Sequence, residues 1–461
     1  MTNLTDTSYG GVLLSIMTLA GEYPLKSLHL LNANKGVMNR VITNLSYNKK
    51  IVKKQTKEKK RVGIQEYPLE EMMDTFSERY EELEDEIVEL FSKMIALETN
   101  GNVKKTKAVQ VDKVLRRISF GTEFKLKDAS QLYIGADKEY ERAKTITKNV
   151  NLAQIIRRSR LAETYAIMYQ LDIPFFPCDI ATKDEMLTGN WYVSSTKIKN
   201  MMDETRSTSS NFSRFIGCVN MNNRQYIVYN MGDTHITWSS ANELKAQKYC
   251  SDFVNEKSDN RAELLIKDAL VYANDLSYGL KMLTYKEDRP KWVTYDSTSR
   301  ICVDGTYEAM YLVPLTCEGI LQNIFVLNKD YWNQFNNTLF SKGNAAAKGI
   351  DCDAEVNGVQ YLNFCNGDLV RLKKIKSAYK LHSEKIKFGV FCFSYQQDLV
   401  AEYLCGCNIV IKVIDVLKLK NNSSLSFIDE KFYKQIEYER KYKDKKSKST
   451  TEKKGDGKKN G

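Results

Sequence analysis

The first part of the chain alternates apolar patterns of helical spacing with polar breaks. The stretch "SYGGVLLSIMTLAGEYP" predicts a helix that runs through Ala20 and ends at Gly21. Pro24 then stands at a natural first position for a second, short helix. Asn34 is placed to cap a third helix. The pattern therefore predicts three short helices in succession.

The third helix is amphipathic, with two faces of different chemistry. Its apolar face is formed by residues at helical spacing, namely Val37, Met38, Val41, Ile42 and Leu45. Its other face carries short polar or cationic side chains, namely Lys35, Asn39, Arg40, Thr43 and Asn44. Such side chains suit the edges of bases and the phosphates of DNA.

A strongly basic run follows the third helix. The fourteen positions from Asn48 to Arg61 contain one acid and eight basic residues. The pattern predicts a β-hairpin with Ile51 on its first strand, a polar turn over 56–60 and Ile64 on its second strand. The basic residues are Lys49, Lys50, Lys53, Lys54, Lys57, Lys59, Lys60 and Arg61.

Three short helices followed by a basic hairpin resemble a winged helix-turn-helix domain, and the resemblance covers residues 8–67. It implies that the helix 35–47 enters the major groove of double-stranded DNA while the hairpin rests on the phosphate backbone. Arg40 and Asn39 would then read bases, and the hairpin lysines would neutralise phosphates. Two alternatives remain open: a small helical domain with a solvated hairpin, or a winged helix used for protein contacts.

Residues 62–100 reverse the charge, with twelve acids against two basic residues. Within them, apolar residues follow the heptad spacing of a coiled-coil seam, namely Met73, Phe76, Tyr80, Leu83, Ile87, Leu90, Met94 and Leu97. This pattern fits a homodimer formed through residues 73–97. It fits equally a long helix packed against the body of the same chain.

The chain from 101 to 187 is predicted to be a mildly basic helical connector. The stretches "VDKVLRRISFGTEF" and "NLAQIIRRSRLAETYAIMYQLD" each show an apolar face with arginines beside it. Arg157, Arg158 and Arg160 have two interpretations: they contact phosphate, or they lie on a solvated face or pair with the acidic helix. The second is the one we favour.

The remaining chain has the pattern of an α/β domain with a mixed sheet. Two strands flank an Asn-Asn turn at 222–223, and "YEAMYLVPL" and "LQNIFVLN" read as further strands. Residues 388–415 predict a strand, a helix and a second strand, which is a βαβ unit. The predicted fold class is therefore α+β or α/β and multidomain. Its predicted segments are a winged helix 1–67, an acidic heptad helix 68–100, a helical connector 101–187, an α/β domain 188–430 and a disordered basic tail 431–461.

Composition and cysteine usage predict a cytoplasmic protein. The 461 residues are 42% hydrophobic, which is typical of a folded chain, and no stretch approaches the length of a membrane span. The start has no basic region of the kind that opens a signal peptide. The ten cysteines lie irregularly between Cys178 and Cys407, which indicates buried free thiols.

Known catalytic motifs do not occur in this sequence. There is no Walker A loop, GxSxG or HExxH, so we expect no cofactor and no metal. One weak nuclease-like pattern combines Asp233 with Glu243 and Lys245, and an acid cluster contains the residues Asp351, Asp353 and Glu355. Glu243 and Lys245 read as part of a capped helix, and the acid cluster reads as a polar loop.

The order of elements resembles the replication-relaxation proteins of bacterial plasmids and integrative elements. The resemblance rests on the N-terminal winged helix, on "RRSRLAETYAIM" in the connector and on "FGVFCFSYQQDLVAEYL" near the end of the α/β domain. It implies a DNA-binding protein of a mobile genetic element that acts in plasmid replication, mobilisation or their regulation. Two alternatives remain: a metal-dependent nuclease with a restriction-endonuclease-like C-terminal domain, and a coiled-coil assembly scaffold.

Overall fold

The computed structural model describes most of the chain. The described residues are 4–61, 110–148, 151–175, 183–202, 215–232, 237–238, 240–258, 264–284, 299–300, 303 and 306–441. The chain divides into two compact units, one formed by Met1–Lys53 with Arg117–Gly461 and the other by Lys54–Arg116. The acidic heptad segment lies outside the described residues, so the homodimer through 73–97 stays a prediction.

Helices and strands alternate along the described chain. The helices are α1 (Tyr9–Ala20), α2 (Lys35–Tyr47), α3 (Leu126–Ala129), α4 (Ala136–Ile146), α5 (Leu152–Gln170), α6 (Lys183–Thr188), α7 (Ser195–Met201), α8 (Ser240–Ser258), α9 (Ser277–Thr284), α10 (Cys317–Leu327), α11 (Lys329–Leu339), α12 (Leu369–His382), α13 (Gln397–Tyr403) and α14 (430–441). The strands are β1 (Glu22–Pro24), β2 (Ile51–Arg61), β3 (Gln110–Phe120), β4 (Trp191–Ser194), β5 (Gly217–Met221), β6 (Arg224–Gly232), β7 (Thr237–Trp238), β8 (Asp268–Ala273), β9 (Ser299–Arg300), β10 (Ala309–Pro314), β11 (Ala354–Val356), β12 (Val359–Asn363), β13 (Lys387–Phe393) and β14 (Ile409–Ile414).

The three predicted N-terminal helices are present. The Ser8 hydroxyl caps α1 by accepting a hydrogen bond from the Gly11 N–H at 3.1 Å, and Gly21 ends the helix with a φ of 90°. A 3₁₀ helix, Leu25–Leu31, follows Pro24. The side chain of Asn34 caps α2 as predicted.

Helix α1 is buried at every position from residue 11 to residue 20. It contacts α2, α4 and α5. Its side chains belong to one continuous hydrophobic core that also includes Tyr165 of α5 and Tyr226 of β6. Since a helix that is apolar on all sides needs partners on all sides, the N-terminal helices depend on later parts of the chain for their burial.

The turn that was predicted at 56–60 is wrong. Strand β2 continues without a turn from Ile51 to Arg61, and its neighbour in the sheet is β3. The predicted second strand around Ile64 lies outside the described residues. The sheet order is β1-β3-β2. The polar stretch 56–60 has the composition of a turn, but it is extended because β2 pairs with a strand that is distant in sequence.

The predicted helical connector is corrected at its start, where residues 110–120 form strand β3. Its final residues pair with β1 in antiparallel register, with Tyr23 opposite Ile118 and Pro24 opposite Arg117. Helices α3, α4 and α5 then follow, as a helical connector requires. The boundary predicted at 187–188 falls inside α6, because that helix packs its buried Met186 near β5.

A buried carboxylate joins β1, β3 and α5. The Glu22 side chain accepts hydrogen bonds from Arg117 Nε at 2.6 Å and from Arg158 Nε at 2.7 Å. All three residues are at most 5% exposed. Arg158 also donates to the carbonyl oxygen of Ile146 at 3.3 Å. The three charged side chains therefore satisfy one another away from water, which is the condition for burying them.

The predicted α/β domain contains two larger sheets. The first has the order β10-β8-β6-β5-β4. Strands β6, β8 and β10 run parallel to one another, β5 is antiparallel to β6, and β4 is antiparallel to β5. The predicted Asn-Asn turn joins β5 to β6, because Asn222 and Asn223 both adopt positive φ, at 50° and 62°. The second has the order β11-β12-β13-β14 and contains the predicted parallel βαβ unit as β13, α13 and β14.

Helices accompany mixed parallel and antiparallel sheets, so the α+β or α/β fold class is confirmed. The stretch "LQNIFVLN" was predicted to be a strand, and this prediction is wrong, because the stretch forms the second half of α10. The side chain of Thr316 caps that helix. Because most of its residues are buried, the helix lacks the regularly spaced polar positions that would indicate a helical period in the sequence. Among the described helices, none combines the length and the hydropathy needed to cross a bilayer.

The tail predicted from residue 431 is a second correction. Residues 430–441 form helix α14, which buries Phe432, Tyr433 and Ile436. Ile428, Phe432 and Ile436 are spaced four residues apart, and Tyr433 adjoins Phe432. The buried positions therefore follow helical spacing. The many charged residues in this segment favoured the prediction of a disordered tail. The apolar stripe nevertheless packs residues 430–441 against the core. Residues 442–461 lie outside the described residues.

Replacing Glu22 by glutamine should strongly destabilise the protein. The variant keeps the volume of the side chain but removes the negative charge from its ion pairs with two buried guanidinium groups, and breaking a buried pair costs about 3–5 kcal/mol. The measurement is the denaturant midpoint, with the exposed Glu141→Gln as the matched control. Equal midpoints for the two variants would show that the buried ion pairs do not support the fold.

Candidate nucleic-acid interface

Helix α2 is held by one face and exposed on the other. The Asn34 Oδ1 atom accepts a hydrogen bond from the Gly36 N–H at 2.8 Å and so fixes the start of the helix. Met38 and Ile42 are buried in the hydrophobic core. On α1, Gly10 leaves space for Val41, since a Cβ atom built there would meet Val41 Cγ1 at 3.8 Å. The predicted apolar face is thus the packed face.

The opposite face of α2 is exposed to solvent along its full length. Its exposed members are the five predicted residues Lys35, Asn39, Arg40, Thr43 and Asn44. Four of them line a shallow surface concavity together with Tyr47, whose side chain is 85% exposed. The sequence prediction did not include Tyr47. Tyr47 lies on the same face one turn further along the helix. Its position four residues after Thr43 would have identified it from the sequence.

Arg40 is oriented along the exposed face. Its Nε atom lies 3.5 Å from the carbonyl oxygen of Gly36, at the long limit of a hydrogen bond. Such a contact is weak, so exchanging it for a ligand costs little. Asn44 has a firmer local partner, since its Oδ1 accepts from Asn48 Nδ2 at 2.6 Å. Arg40 is therefore the residue of this face best suited to bind a new acceptor.

The turn after α2 is bound to the residues that follow β3. Lys49 adopts a positive φ of 52°. The carbonyl oxygen of Lys49 accepts from the Glu123 N–H at 3.0 Å, and that of Lys50 accepts from the Gly121 N–H at 2.8 Å. Gly121 is required there, because a Cβ atom on it would overlap the Lys49 oxygen. These hydrogen bonds therefore hold the turn, and with it the end of α2, against the residues that follow β3.

The predicted phosphate-binding residues of the basic run differ in their availability. Lys50 forms an ion pair with Asp128 at 3.3 Å and is half-buried. Burial alone would raise the pKa of Asp128, but the Lys125 backbone N–H and the Lys50 ammonium outweigh it and hold that pKa below its ordinary value. Lys50 thus has a structural partner within the protein. It is a weaker candidate for phosphate contact than its neighbours.

The lysines further along β2 belong to the same strand. Lys49, Lys53 and Lys54 are exposed. The backbone of β2 also carries Lys57, Lys59, Lys60 and Arg61, whose side chains lie outside the described residues. Lys49, Lys50 and Lys53 belong to the larger compact unit, whereas the residues from Lys54 onward belong to the smaller one.

The arginines of α5 have partners within the described part of the protein. Arg158 pairs with Glu22 and is only 5% exposed, so it does not lie on a solvated face. The predicted pairing with the acidic helix involves residues outside the described ones. Arg157 donates to Ser195 Oγ at 2.7 Å, and Arg160 donates to the Met231 carbonyl oxygen at 2.8 Å. The sequence could not reveal these partners, because each is more than thirty residues away.

The acid cluster considered as a metal site is occupied by internal partners. Arg371 donates to Asp351 at 3.0 Å and to Asp353 at 3.1 Å, and Glu355 accepts from Gln360 at 2.5 Å. Lys374 adds a further ion pair to Asp351 at 3.3 Å. In the part of the chain that the structure describes, no group of His, Cys, Asp and Glu side chains is arranged to hold a metal ion.

The nuclease-like pattern is only partly within the described residues. Glu243 and Lys245 lie on α8, as the sequence indicated, while Asp233 and the side chain of Glu243 lie outside the described residues. This pattern therefore stays a prediction without a described geometry.

Comparison of the chain with protein-family models, with curated proteins and with solved structures found no match. The resemblance to replication-relaxation proteins accordingly stays a prediction from the sequence. The exposed face of α2 and the lysines beside it are the features that carry a functional argument.

Replacing Gly121 by alanine should loosen the turn between α2 and β2. The added Cβ atom would overlap the Lys49 carbonyl oxygen, and overpacking of this kind costs about 1–3 kcal/mol. The matched control is Gly10→Ala, where the nearest atom is 3.8 Å away and the helix α1 accepts alanine readily. Thermal unfolding should show a lower midpoint for Gly121→Ala alone. A midpoint equal to that of the control would refute the tight approach.

Proposed function

We propose that this chain is a double-stranded DNA-binding protein in which α2 enters the major groove and β2 contacts the phosphate backbone. The observation that carries the proposal is the division of α2 into a packed face, with Met38 and Ile42, and an exposed face of polar and cationic residues. A helix of this kind fits the width of the major groove. Its exposed side chains have the donors and acceptors that base edges require.

The order of elements supports the proposed winged helix. Helix α1, strand β1, a 3₁₀ helix and α2 come first, and strands β2 and β3 follow in a sheet of order β1-β3-β2. The strands after α2 are the proposed wing, and β2 brings the run of lysines that the proposal assigns to phosphates. Phosphate contacts of this type set position and affinity, while sequence is read by the helix.

The chemistry of the exposed face divides the proposed roles. Arg40 and Asn39 have side chains that form bidentate contacts with guanine and adenine edges, respectively. Lys35 and Thr43 suit the phosphates and sugars at the rims of the groove. The proposed role in replication or mobilisation of a mobile element rests on the sequence resemblance. DNA binding does not depend on it.

Replacing the lysines of β2 should weaken binding to every duplex by a similar factor. The change is Lys53, Lys54, Lys57, Lys59 and Lys60 to alanine. For each phosphate that the variant no longer neutralises, the slope of log affinity against log salt should fall by about 0.9. The measurement is fluorescence anisotropy with labelled duplexes over a series of salt concentrations.

The matched control removes five exposed lysines from the C-terminal part of the chain, namely Lys342, Lys348, Lys380, Lys385 and Lys387. Both variants lose the same net charge, so a general electrostatic effect would lower binding equally in both. Equal behaviour of the two variants would show that β2 is not a specific contact surface. Weaker binding by the first variant alone supports the proposal.

Replacing Arg40 by alanine should remove a base preference without unfolding the protein. The residue is exposed and makes only a long contact within its own helix. A bidentate contact to guanine contributes about 1–3 kcal/mol of discrimination. Arg40→Lys is the matched control, since it keeps the charge but lacks the planar fork. We expect it to retain general affinity and to lose most of the preference.

The measurement for Arg40 is competition between the preferred duplex and its single-base variants at fixed salt. The preferred duplex is first selected from a random library with the wild-type protein. If wild type, Arg40→Ala and Arg40→Lys share the same base preferences, then Arg40 does not read bases and the placement of α2 in the groove is wrong.

A further inference from the structure

Backbone segments cover the outer edges of β11, β10 and β4 in the two larger sheets. At β11, the Asn344 N–H donates to the Glu355 carbonyl oxygen at 2.8 Å, and the Glu355 N–H donates back to Asn344 at 2.9 Å. At β10, a strand N–H donates to the carbonyl oxygen of Gly367 at 2.9 Å, and at β4 another donates to that of Pro174 at 3.0 Å. Such cover prevents a sheet edge from pairing with further strands.

The outer edge of β14 has no such cover among the described residues. Strand β14 stands last in the order β11-β12-β13-β14, and it pairs with β13 in an unbroken parallel register. Within the described part of the chain, no backbone group outside this sheet forms a hydrogen bond with the backbone of residues 410–414. Val410 and Val413 are 45% and 43% exposed. The described edge therefore presents free backbone groups beside exposed apolar side chains.

The single charged residue of β14 does not block this edge. Natural edge strands are commonly protected from pairing by an outward lysine, a proline or a β-bulge. Lys412 instead extends over the sheet, since its Nζ atom lies 4.8 Å from the centre of the Tyr361 ring and 5.4 Å from that of the Phe391 ring. These rings belong to β12 and β13. Strand β14 contains no proline, and its register with β13 contains no bulge.

The side chains of β14 fit a second copy of the same strand in antiparallel pairing. A two-fold axis perpendicular to the sheet pairs two such strands about one residue, so that opposite side chains share a face. Centred on Ile411, this pairing places Ile411 opposite its own copy and Ile409 opposite Val413. It also places Val410 opposite Lys412. A pairing centred on Lys412 would place two lysines opposite each other, which is unfavourable.

We infer that the outer edge of β14 binds a second copy of this chain, with the two strands antiparallel and centred on Ile411. The inference goes beyond the proposed function and does not depend on it. Hydrogen bonds between the two backbones supply the attraction, and the apolar side-chain pairs fix the register. The charges are compatible with this occupant, because each Lys412 faces Val410 of the other copy while its ammonium stays over two rings of its own copy. The four-stranded sheets of the two copies then form one continuous sheet.

The test changes Val410, which is exposed and faces Lys412 of the second copy, in two opposite ways. Val410→Glu places a carboxylate opposite each lysine, and Val410→Lys places another ammonium there. Because symmetry gives two such pairs in each dimer, the dimer Kd should fall by about 2- to 30-fold for Val410→Glu and rise by a similar factor for Val410→Lys. Analytical ultracentrifugation of the full chain over a concentration series measures Kd, and thermal unfolding checks that both variants fold.

The matched control for net charge makes the same two changes at Leu381, an exposed residue of α12. These variants should dimerise like wild type. Opposite shifts for the two Val410 variants alone, which diminish at high salt, support the inference.

Three results would overturn the inference. A wild type that stays monomeric over its whole soluble range would leave the edge to an extended strand of a different protein. Val410 variants that dimerise like wild type would show that the copies meet elsewhere, since a dimer through 73–97 does not involve this position. Equal weakening by Val410→Glu and Val410→Lys would contradict the register centred on Ile411.

Discussion

The carboxylate of Glu22 is the constraint on which the arrangement of the candidate interface depends. It binds Arg117 of β3 and Arg158 of α5, and all three residues are buried. Because buried charged groups are stabilised by charge-assisted hydrogen bonds, these contacts tie the end of β3 to β1 and to α5. Directly after β3, the Gly121 N–H donates to the carbonyl oxygen of Lys50 in the turn that follows α2. The geometry around α2 is thus set from inside the fold.

A second buried carboxylate extends this arrangement to the five-stranded sheet. Glu163 of α5 accepts from the Ser27 hydroxyl at 2.5 Å and from Asn230 Nδ2 at 3.2 Å. One end of α5 is therefore linked to β1 and β3, and its middle is linked to the 3₁₀ helix and to β6. The helix that the sequence marked by its arginines is a connection between the N-terminal helices and the larger sheet. Its charges serve packing, and the DNA proposal does not need them.

Local patterns were sufficient for some elements and failed for others for physical reasons. Helix α1 was predicted from its apolar stretch and from Gly21 at its end, and α2 from its cap Asn34 and its amphipathic face, because these signals are encoded within a few residues. Strand β3 was missed because its conformation depends on pairing with Glu22–Pro24, which is remote in sequence. The exposed face of α2 was predicted correctly by helical spacing. The contact of Tyr438 with Asn34 was not predictable, since 404 residues separate them.

The burial of α1 has a consequence for the order of events during protein synthesis. Its apolar surface is covered in part by α4 and α5, and Glu22 finds Arg158 only when α5 exists. Until α5 has been synthesised, this part of the chain therefore exposes Leu13, Ile16 and the Glu22 carboxylate, all of which are buried in the folded protein. A nascent chain in this state presents the kind of apolar surface that chaperones bind. Burial of the N-terminal helices accordingly requires the later synthesis of α4 and α5.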